Sequence, residues 1–284
     1  MNKVGILLVF SIALVFNEGL QAEDYYSPEN ILKFAQHLYE EGEYIRAASE
    51  YQRYLFFSHK DEDSIIYQIG LCYKKGGEFS KACEWFERIL KKYPESDLLS
   101  SVYYQSAGSL LLMSKYEDSI SKAKEGFGKV DEERLHYILG LNYLKQKRWD
   151  DAYLLFSSIM QDKNLKDSSS RLEEYAKEGR NLPHKSPLLA GILSFLLPGA
   201  GKIYCERSKD GLFSLFLIGT AAYSAYDSFK EDGRDSIRGW LWGSWGGFLY
   251  AGNIYGSTVA AKIYNQRIEN ELFTKIQLEI DLLK

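Results

Sequence analysis

Four histidines, three cysteines and one glycine–lysine loop are the residues of this 284-residue chain whose types could do chemistry. His37, His59, His136 and His184 stand far apart, with no HExxH pair and no cysteine at ligand spacing, so no metal centre is indicated. Cys72, Cys83 and Cys205 form no CxxC. A bridge between Cys72 and Cys83 is conceivable, and small packed thiols are the other reading. Ser119-Ile120-Ser121-Lys122 has the spacing of a lysine-activated serine, but Ser119 falls where a small residue recurs for packing reasons. Gly199-Ala200-Gly201-Lys202 lacks the glycine that a phosphate-cradling loop needs at position 196, and Ile203 replaces its Ser or Thr. Glu40-Glu41 and Glu173-Glu174 read as solvated helix faces. The chain therefore offers no catalytic residue, no metal ligand set and no cofactor loop.

What the residues do offer is repetition. A small residue recurs at 35, 70, 107 and 140, at steps of 35, 37 and 33. Twelve residues later comes another: Ala47, Ala82, Ser119 and Ala152. Four further on stand Tyr51, Phe86, Ala123 and Phe156. Between the small pairs lie Gly42 and Gly77, then Ser114 and Lys147, each followed two residues on by Tyr44, Phe79, Tyr116 or Trp149. Small side chains let two helices of a hairpin approach, a ring fills the space they leave, and glycine suits the turn. A hairpin cannot cover its own apolar face, so the copies must stack.

These positions resemble the tetratricopeptide repeat, whose usual step is about 34 residues. The resemblance covers residues 28–164 and implies an all-α solenoid of four helical hairpins. It also implies a concave surface made by the first helix of each copy. Counted onto this chain, that surface includes Leu32, Gln36 and Tyr39, then Tyr67, Leu71 and Lys74, then Tyr104 and Leu111. The fourth copy adds Arg134, Tyr137, Leu141 and Leu144. A strip of Tyr and Leu with Lys74 and Arg134 at hand suits an extended or helical peptide with an apolar side. The alternatives are that these rings pack between repeats, or that another part of the chain fills the groove.

Residues 1–22 read as a secretory leader: Lys3, an apolar run from Val4 to Phe16, and a small-residue site ending at Ala22. Export across a bacterial inner membrane is the expected address. A net charge of −4 with no basic stripe argues against nucleic acid.

After the repeats, Asp167 to Ser170 reads as a turn capping a short helix over 171–178, whose Leu172, Tyr175 and Ala176 would cover the fourth copy. Asn181 to Pro187 reads as a linker. Three uncharged runs follow, at 186–201, 211–226 and 239–261. Pro198 interrupts the first, which suits an interfacial or re-entrant helix more than a full span. The other two, with facing Gly and Ala and a cluster of Trp240, Trp242 and Trp245, read as a membrane hairpin in preference to a buried soluble domain. The tail over 263–284 repeats Ile268, Leu272, Ile276, Ile280 and Leu283 on one face, for a membrane surface or for the solenoid. Pro198-Gly199-Ala200-Gly201-Lys202-Ile203-Tyr204 resembles the Pro-Gly-x-Gly-x-x-Tyr signature of small two-helix bacterial membrane domains. The match runs to Asn265, with Lys202 where the family often has Gln. No activity is implied, only a place.

The expected protein is thus an all-α chain: a leader (1–22), a four-repeat solenoid (23–164), a cap and linker (165–186), a helical membrane domain (187–262) and an amphipathic tail (263–284). Its expected role is a non-catalytic envelope scaffold, membrane-anchored, with the repeats on the periplasmic side. It would bind a protein or peptide through Tyr39, Tyr67, Leu71, Lys74, Tyr104, Arg134, Tyr137 and Leu141. Membrane lipids would be its other partner, with no nucleic acid and no small-molecule substrate. The alternative is a lipid-handling or transport component whose working part is the loop of Pro198, Gly199, Gly201 and Tyr204, with the repeats docking it.

Overall fold

The computed structural model describes residues 27–58, 60–130, 132–160 and 162–284. The leader read at 1–22, and His59, lie outside the described residues. Among the described residues there are thirteen α-helices, one short 3-10 helix and no strand. They form two compact units, divided between Leu139 and Gly140, with Leu283 and Lys284 grouped with the first.

The first unit holds α1 (Pro28–Glu40), α2 (Tyr44–Phe57), α3 (Glu62–Lys75), α4 (Phe79–Lys92), α5 (Leu99–Leu112), α6 (Tyr116–Glu125) and the start of α7 (Glu133–Lys145). Ser27 opens α1, its side chain accepting from the Asn30 amide, with Pro28 at the first helical position, where its missing N–H is not needed. The helices pair as hairpins at the small residues. Ala35, Ala47, Ala82 and Ala107 are all wholly buried. A Cβ on Gly70 would stand 2.5 Å from the Phe86 ring, so the glycine is the space that the ring occupies. In the third hairpin Ser119 takes the small position and donates its hydroxyl to the Ala107 carbonyl at 2.8 Å. Successive hairpins then share cores. Ala35, Leu38, Ala47 and Tyr51 meet Ile65, Ile69 and Cys72, and Ile66, Phe86 and Ile89 meet Val102.

Each turn between paired helices is built alike. Gly42, Gly77, Ser114 and Lys147 all lie in the left-handed region, at φ of +80°, +81°, +59° and +59°. The next residue's amide reaches back to the preceding helix, as Glu43 to the Leu38 carbonyl (2.9 Å) and Lys115 to that of Leu110 (3.0 Å). That is the closing bond of a Schellman turn. Position, not residue type, fixes the conformation, so Ser114 and Lys147 adopt it at a cost that glycine avoids.

The second unit begins within α7, where a Cβ on Gly140 would stand 2.5 Å from the Phe156 ring, the same packing again. It continues with α8 (Trp149–Ser157), α9 (Lys163–Arg180), α10 (Pro187–Leu196), α11 (Ala200–Tyr204), α12 (Ser208–Asp232), the 3-10 turn Gly233–Asp235 and α13 (Ile237–Asp281). Two expectations need correction. Asp167 to Ser170 is not a turn but the interior of α9, because Ser170 returns its hydroxyl to the Lys166 carbonyl at 3.0 Å and leaves the helix intact. Leu172 and Ala176 of α9 are buried, and a Cβ on Gly179 would stand 2.5 Å from Trp149, so α9 does cover α8. The run at 239–261 and the tail are not separate either. They are one helix of 45 residues, about 68 Å long at 1.5 Å per residue.

That helix has three sets of contacts within its unit. Near its start Gly239 sits under the Phe229 ring and Gly246 faces Ala221 of α12. In the middle Ser257 shares a 2.6 Å hydrogen bond with Ser194 of α10. Its end buries Leu272, Ile276 and Ile280, sets the Phe273 ring at a tilt to Trp149 at 6.0 Å, and pairs Lys275 with Glu178 of α9 at 3.0 Å. Lys147 meets Glu269 at 2.8 Å, and Lys145 meets Gln277 at 2.9 Å. Of the two places open to the tail, the structure has it returned to the fourth hairpin. This explains why the division between units falls earlier than the linker at 181–187. No helix among the described residues is long and apolar enough to cross a membrane. The expected spans at 211–226 and 239–261 are therefore not supported. Gly, Ser, Thr and Tyr dilute both, and the second runs on into a charged tail.

Two measurements test this packing. Gly77→Ala should lower the unfolding free energy by about 1 kcal/mol and Ser114→Gly should raise it by about 0.5–1 kcal/mol, as seen in urea midpoints. A Cβ at Gly77 would meet no atom within 4 Å, so only the backbone conformation is at issue. In the second unit Glu279 is buried and held twice by Arg171, at 2.7 and 3.1 Å. Arg171→Met should cost about 2–3 kcal/mol by stranding that carboxylate, and adding Glu279→Leu should recover most of the loss.

Candidate partner-binding groove and C-terminal loop

The face expected to be concave is laid out by α1, α3, α5 and the start of α7. Tyr39, Tyr67, Leu71, Tyr104 and Arg134 are half-buried there, each presenting part of its side chain. Three expected contact residues are corrected. Lys74 and Tyr137 are each only 3% exposed, and Leu141, in the second unit, is wholly buried. Helical position tells which side of a helix a residue faces, not how deeply neighbouring turns cover it. These three are core or support.

Two polar pairs of this face each tie neighbouring hairpins together. Arg134 donates to the Ser101 hydroxyl at 3.4 Å. The Tyr67 phenol stands near the side chains of Ser101 and Gln105, both of which pull its pKa down against burial. Lys74 donates to the Gln105 side-chain carbonyl at 2.5 Å. Burial, ahead of the neighbouring Lys75 ammonium, pushes Lys74 down to about 8. Burial likewise raises the Tyr67 phenol. Tyr67 also packs its ring 5.8 Å from Phe86, and Tyr39 sits edge-on to Tyr44 at 5.5 Å. The aromatic strip is thus half scaffold and half surface. A cavity of about 530 Å³ opens beside Leu32, Gln36 and Tyr39 and is also lined by Glu40, Asp61 and Asp63. Sequence reasoning did not find this acidic lining. Its only signal is the Asp61-Glu62-Asp63 run that opens α3.

In the second unit the Pro-Gly-x-Gly loop is a packing device. Gly199 lies at φ +86°, and a Cβ on it would collide with the Gly211 carbonyl of α12. A Cβ on Gly201 would collide with the Ala190 carbonyl of α10. Pro198 ends the approach from α10, and the Gly201 amide donates to the Ser194 hydroxyl at 3.0 Å. The Tyr204 hydroxyl accepts from the Ser186 amide at 3.1 Å, and Asn265 bonds both backbone groups of Lys185, at 2.8 and 2.9 Å. Tyr204 and Asn265, far apart in sequence, thus clasp the linker that leads into α10.

The three cysteines are free thiols, which settles against a Cys72–Cys83 bridge. Cys72 is a core residue whose thiol burial pushes up to about 12, and Cys205 is buried beside the loop. His136 lies edge-on to Phe127 at 5.5 Å. No group of His, Cys, Asp or Glu that could hold a metal occurs among the described residues.

Comparison with known proteins adds one family. Residues 65–96 match the tetratricopeptide repeat model. That is the second hairpin, α3 and α4, with Gly70 against Phe86 at its crossing. A solved structure, the C-terminal part of a TPR repeat-containing protein from Cytophaga hutchinsonii, is 18% identical over 84% of this chain and 88% of its own, with a TM-score of 0.47. No curated protein matches the sequence.

Lys74 gives this face a pH signature. The unfolded chain keeps that proton up to about 10.5, whereas the folded chain releases it at about 8. Between those values the unfolded state binds more protons, so stability rises with pH across the window. Lys74→Met should be more stable than the parent near pH 7. The advantage should shrink towards pH 9.5, measured as the difference between urea midpoints at about pH 7 and about pH 9.5.

Proposed function

We propose that this chain is a non-catalytic scaffold that holds a protein or peptide partner on the exposed strip of its tetratricopeptide hairpins. The observation that carries this reading is the partly buried row across three hairpins, with Arg134 on Ser101, Tyr67 packed on Phe86, and Lys74 on Gln105. It fixes Tyr67 and Arg134 in place while leaving part of each exposed. Side chains held in this way bind without paying much ordering entropy. A partner segment with an apolar side for Tyr39, Tyr67, Leu71 and Tyr104, and an acidic group for Arg134, fits that surface.

The second part of the proposal is attachment to a membrane surface in the bacterial envelope. The leader at 1–22 supplies the export expectation. The faces of α10, α12 and α13 supply the attachment: Phe195, Phe216, Trp240 and Phe248 are each more than 60% exposed, among Leu188, Leu212, Phe213 and Leu241. So much exposed apolar area marks a surface that meets a partner or a lipid. Helices of this kind lie in the interface and need not cross it.

The triple change Tyr67→Ala, Tyr104→Ala and Arg134→Ala should abolish crosslinking to the partner in intact envelopes, scored by mass spectrometry. Helicity and membrane recovery should be unchanged. Retention of the same crosslinks by the triple variant would reject the groove. Phe195→Ser, Phe216→Ser and Phe248→Ser together should release the protein from floated vesicles while leaving partner capture intact.

A further inference from the structure

Between α11, α12 and α13 of the second unit lies a cavity of about 250 Å³, lined by Lys202, Phe213, Ser214, Leu217, Phe248 and Asn253 among others. Asn253 is only 4% exposed, and both the oxygen and the nitrogen of its amide are buried with no hydrogen-bond partner. Its backbone carbonyl accepts from Ser257 at 2.8 Å, so the residue's helical role is met without the side chain. Buried amides are ordinarily paired, and this one sits unpaired in the wall of a cavity, where a small movement of its side chain would bring it to a ligand.

Lys202 brings charge to the same cavity. Its ammonium donates to the Ser214 hydroxyl at 2.7 Å, which leaves two of its three N–H donors free of protein partners. Ser214 in turn donates to the Asp210 carbonyl at 2.8 Å. The Asp210 carboxylate is held by Arg207 at 2.6 Å, and Lys202 makes no ion pair among the described residues. The rest of the lining is apolar. Phe213 and Phe248 are largely exposed, and a Cβ on Gly252 would meet open space, so the cavity has a greasy mouth. Its volume is below the usual range for a whole drug-sized ligand, about 300–1,000 Å³. A headgroup and the first carbons fit, and a longer chain must leave through the mouth.

We propose that this cavity binds the headgroup of an anionic amphiphile, a carboxylate or phosphate carried on an acyl chain. Lys202 takes the charge, the Asn253 amide donates to a headgroup oxygen, and the chain leaves between Phe213 and Phe248. The site stands independently of the groove described above.

The test titrates the full chain with sodium dodecanoate, dodecanol and inorganic phosphate, each followed calorimetrically. Dodecanoate should bind saturably at one per chain, at least tenfold more tightly than dodecanol, and phosphate alone should not saturate. Lys202→Met and Asn253→Leu should each weaken dodecanoate at least tenfold, and Lys202→Arg should keep most of the affinity. Asn253→Leu should also raise the thermal midpoint of the unliganded protein by about 2–4 °C, since it removes an unpaired buried amide. Vesicles of phosphatidylcholine with phosphatidylglycerol separate the sources. If they displace dodecanoate, the head is a membrane phosphate; if they do not, it is a free acid. Binding of dodecanol as tight as that of dodecanoate would overturn the proposal, as would unchanged affinity in both Lys202→Met and Asn253→Leu. Attachment to pure phosphatidylcholine vesicles reports the apolar helix faces, and Phe195→Ser with Phe216→Ser, neither of which lines the cavity, should weaken it while leaving dodecanoate binding unchanged.

Discussion

Close approach of helix backbones at residues too small to hold them apart is the constraint on which the rest of this molecule depends. In each hairpin the approach is set by a position where the side chain is a hydrogen, a methyl or a short hydroxyl. At Gly70 and Gly140 the vacated space is filled by a phenyl ring belonging to the same hairpin. At Ser119 the hydroxyl reaches the opposing backbone instead. The energy is in the ring and the burial it brings, while the glycine only permits it. The Pro-Gly-x-Gly loop applies the same rule to backbone against backbone, with Gly199 set on Gly211 and Gly201 set on Ala190.

Once the crossings are fixed, the polar groups have few choices. On the face of α3, α5 and α7, equivalent positions of successive hairpins are stacked, so Lys74 meets Gln105 and Arg134 meets Ser101, with Tyr67 set among them. Lys74 is the extreme case, an ammonium drawn into the stack and answered by a neutral amide oxygen rather than a carboxylate. In the second unit the pairs are ionic and lie toward the edge, Lys147 with Glu269 and Lys275 with Glu178. Such half-exposed pairs orient helices more than they stabilise them. The Arg171–Glu279 pair differs, because its carboxylate is buried.

Much of this was legible in the residues. The period, the crossing positions, the ring at the crossing and the left-handed turn all follow from side-chain size and spacing. What escaped was whatever depends on depth or on continuity. Tyr137 and Leu141 lie on the expected helix, but cover from adjacent turns removes them from the surface. The serine run at 168–170 looked like a helix breaker, and its hydroxyls can indeed compete for the backbone. Here Ser170 bonds the carbonyl four residues back and the helix passes through. A glycine-rich apolar run and a charged tail looked like two environments, yet nothing between Gly256 and Asp281 can stop a helix, and α13 does not stop. The unpaired amide of Asn253 has no sequence signal at all, because an asparagine in an apolar run reads as dilution until its neighbours are placed.

That uninterrupted α13 has a mechanical consequence. An α-helix is stiff over several turns, and this one packs at its start on α12, in its middle on α10 and at its end on α9, with Phe273 against Trp149 of α8. It therefore acts as a strut. Through it the end where Trp240 and Trp245 project is joined by unbroken backbone hydrogen bonding to the Trp149–Phe273 contact and the Lys147–Glu269 pair. One helix thus places the exposed aromatic end and the Lys147 turn on a single rigid element of this unit.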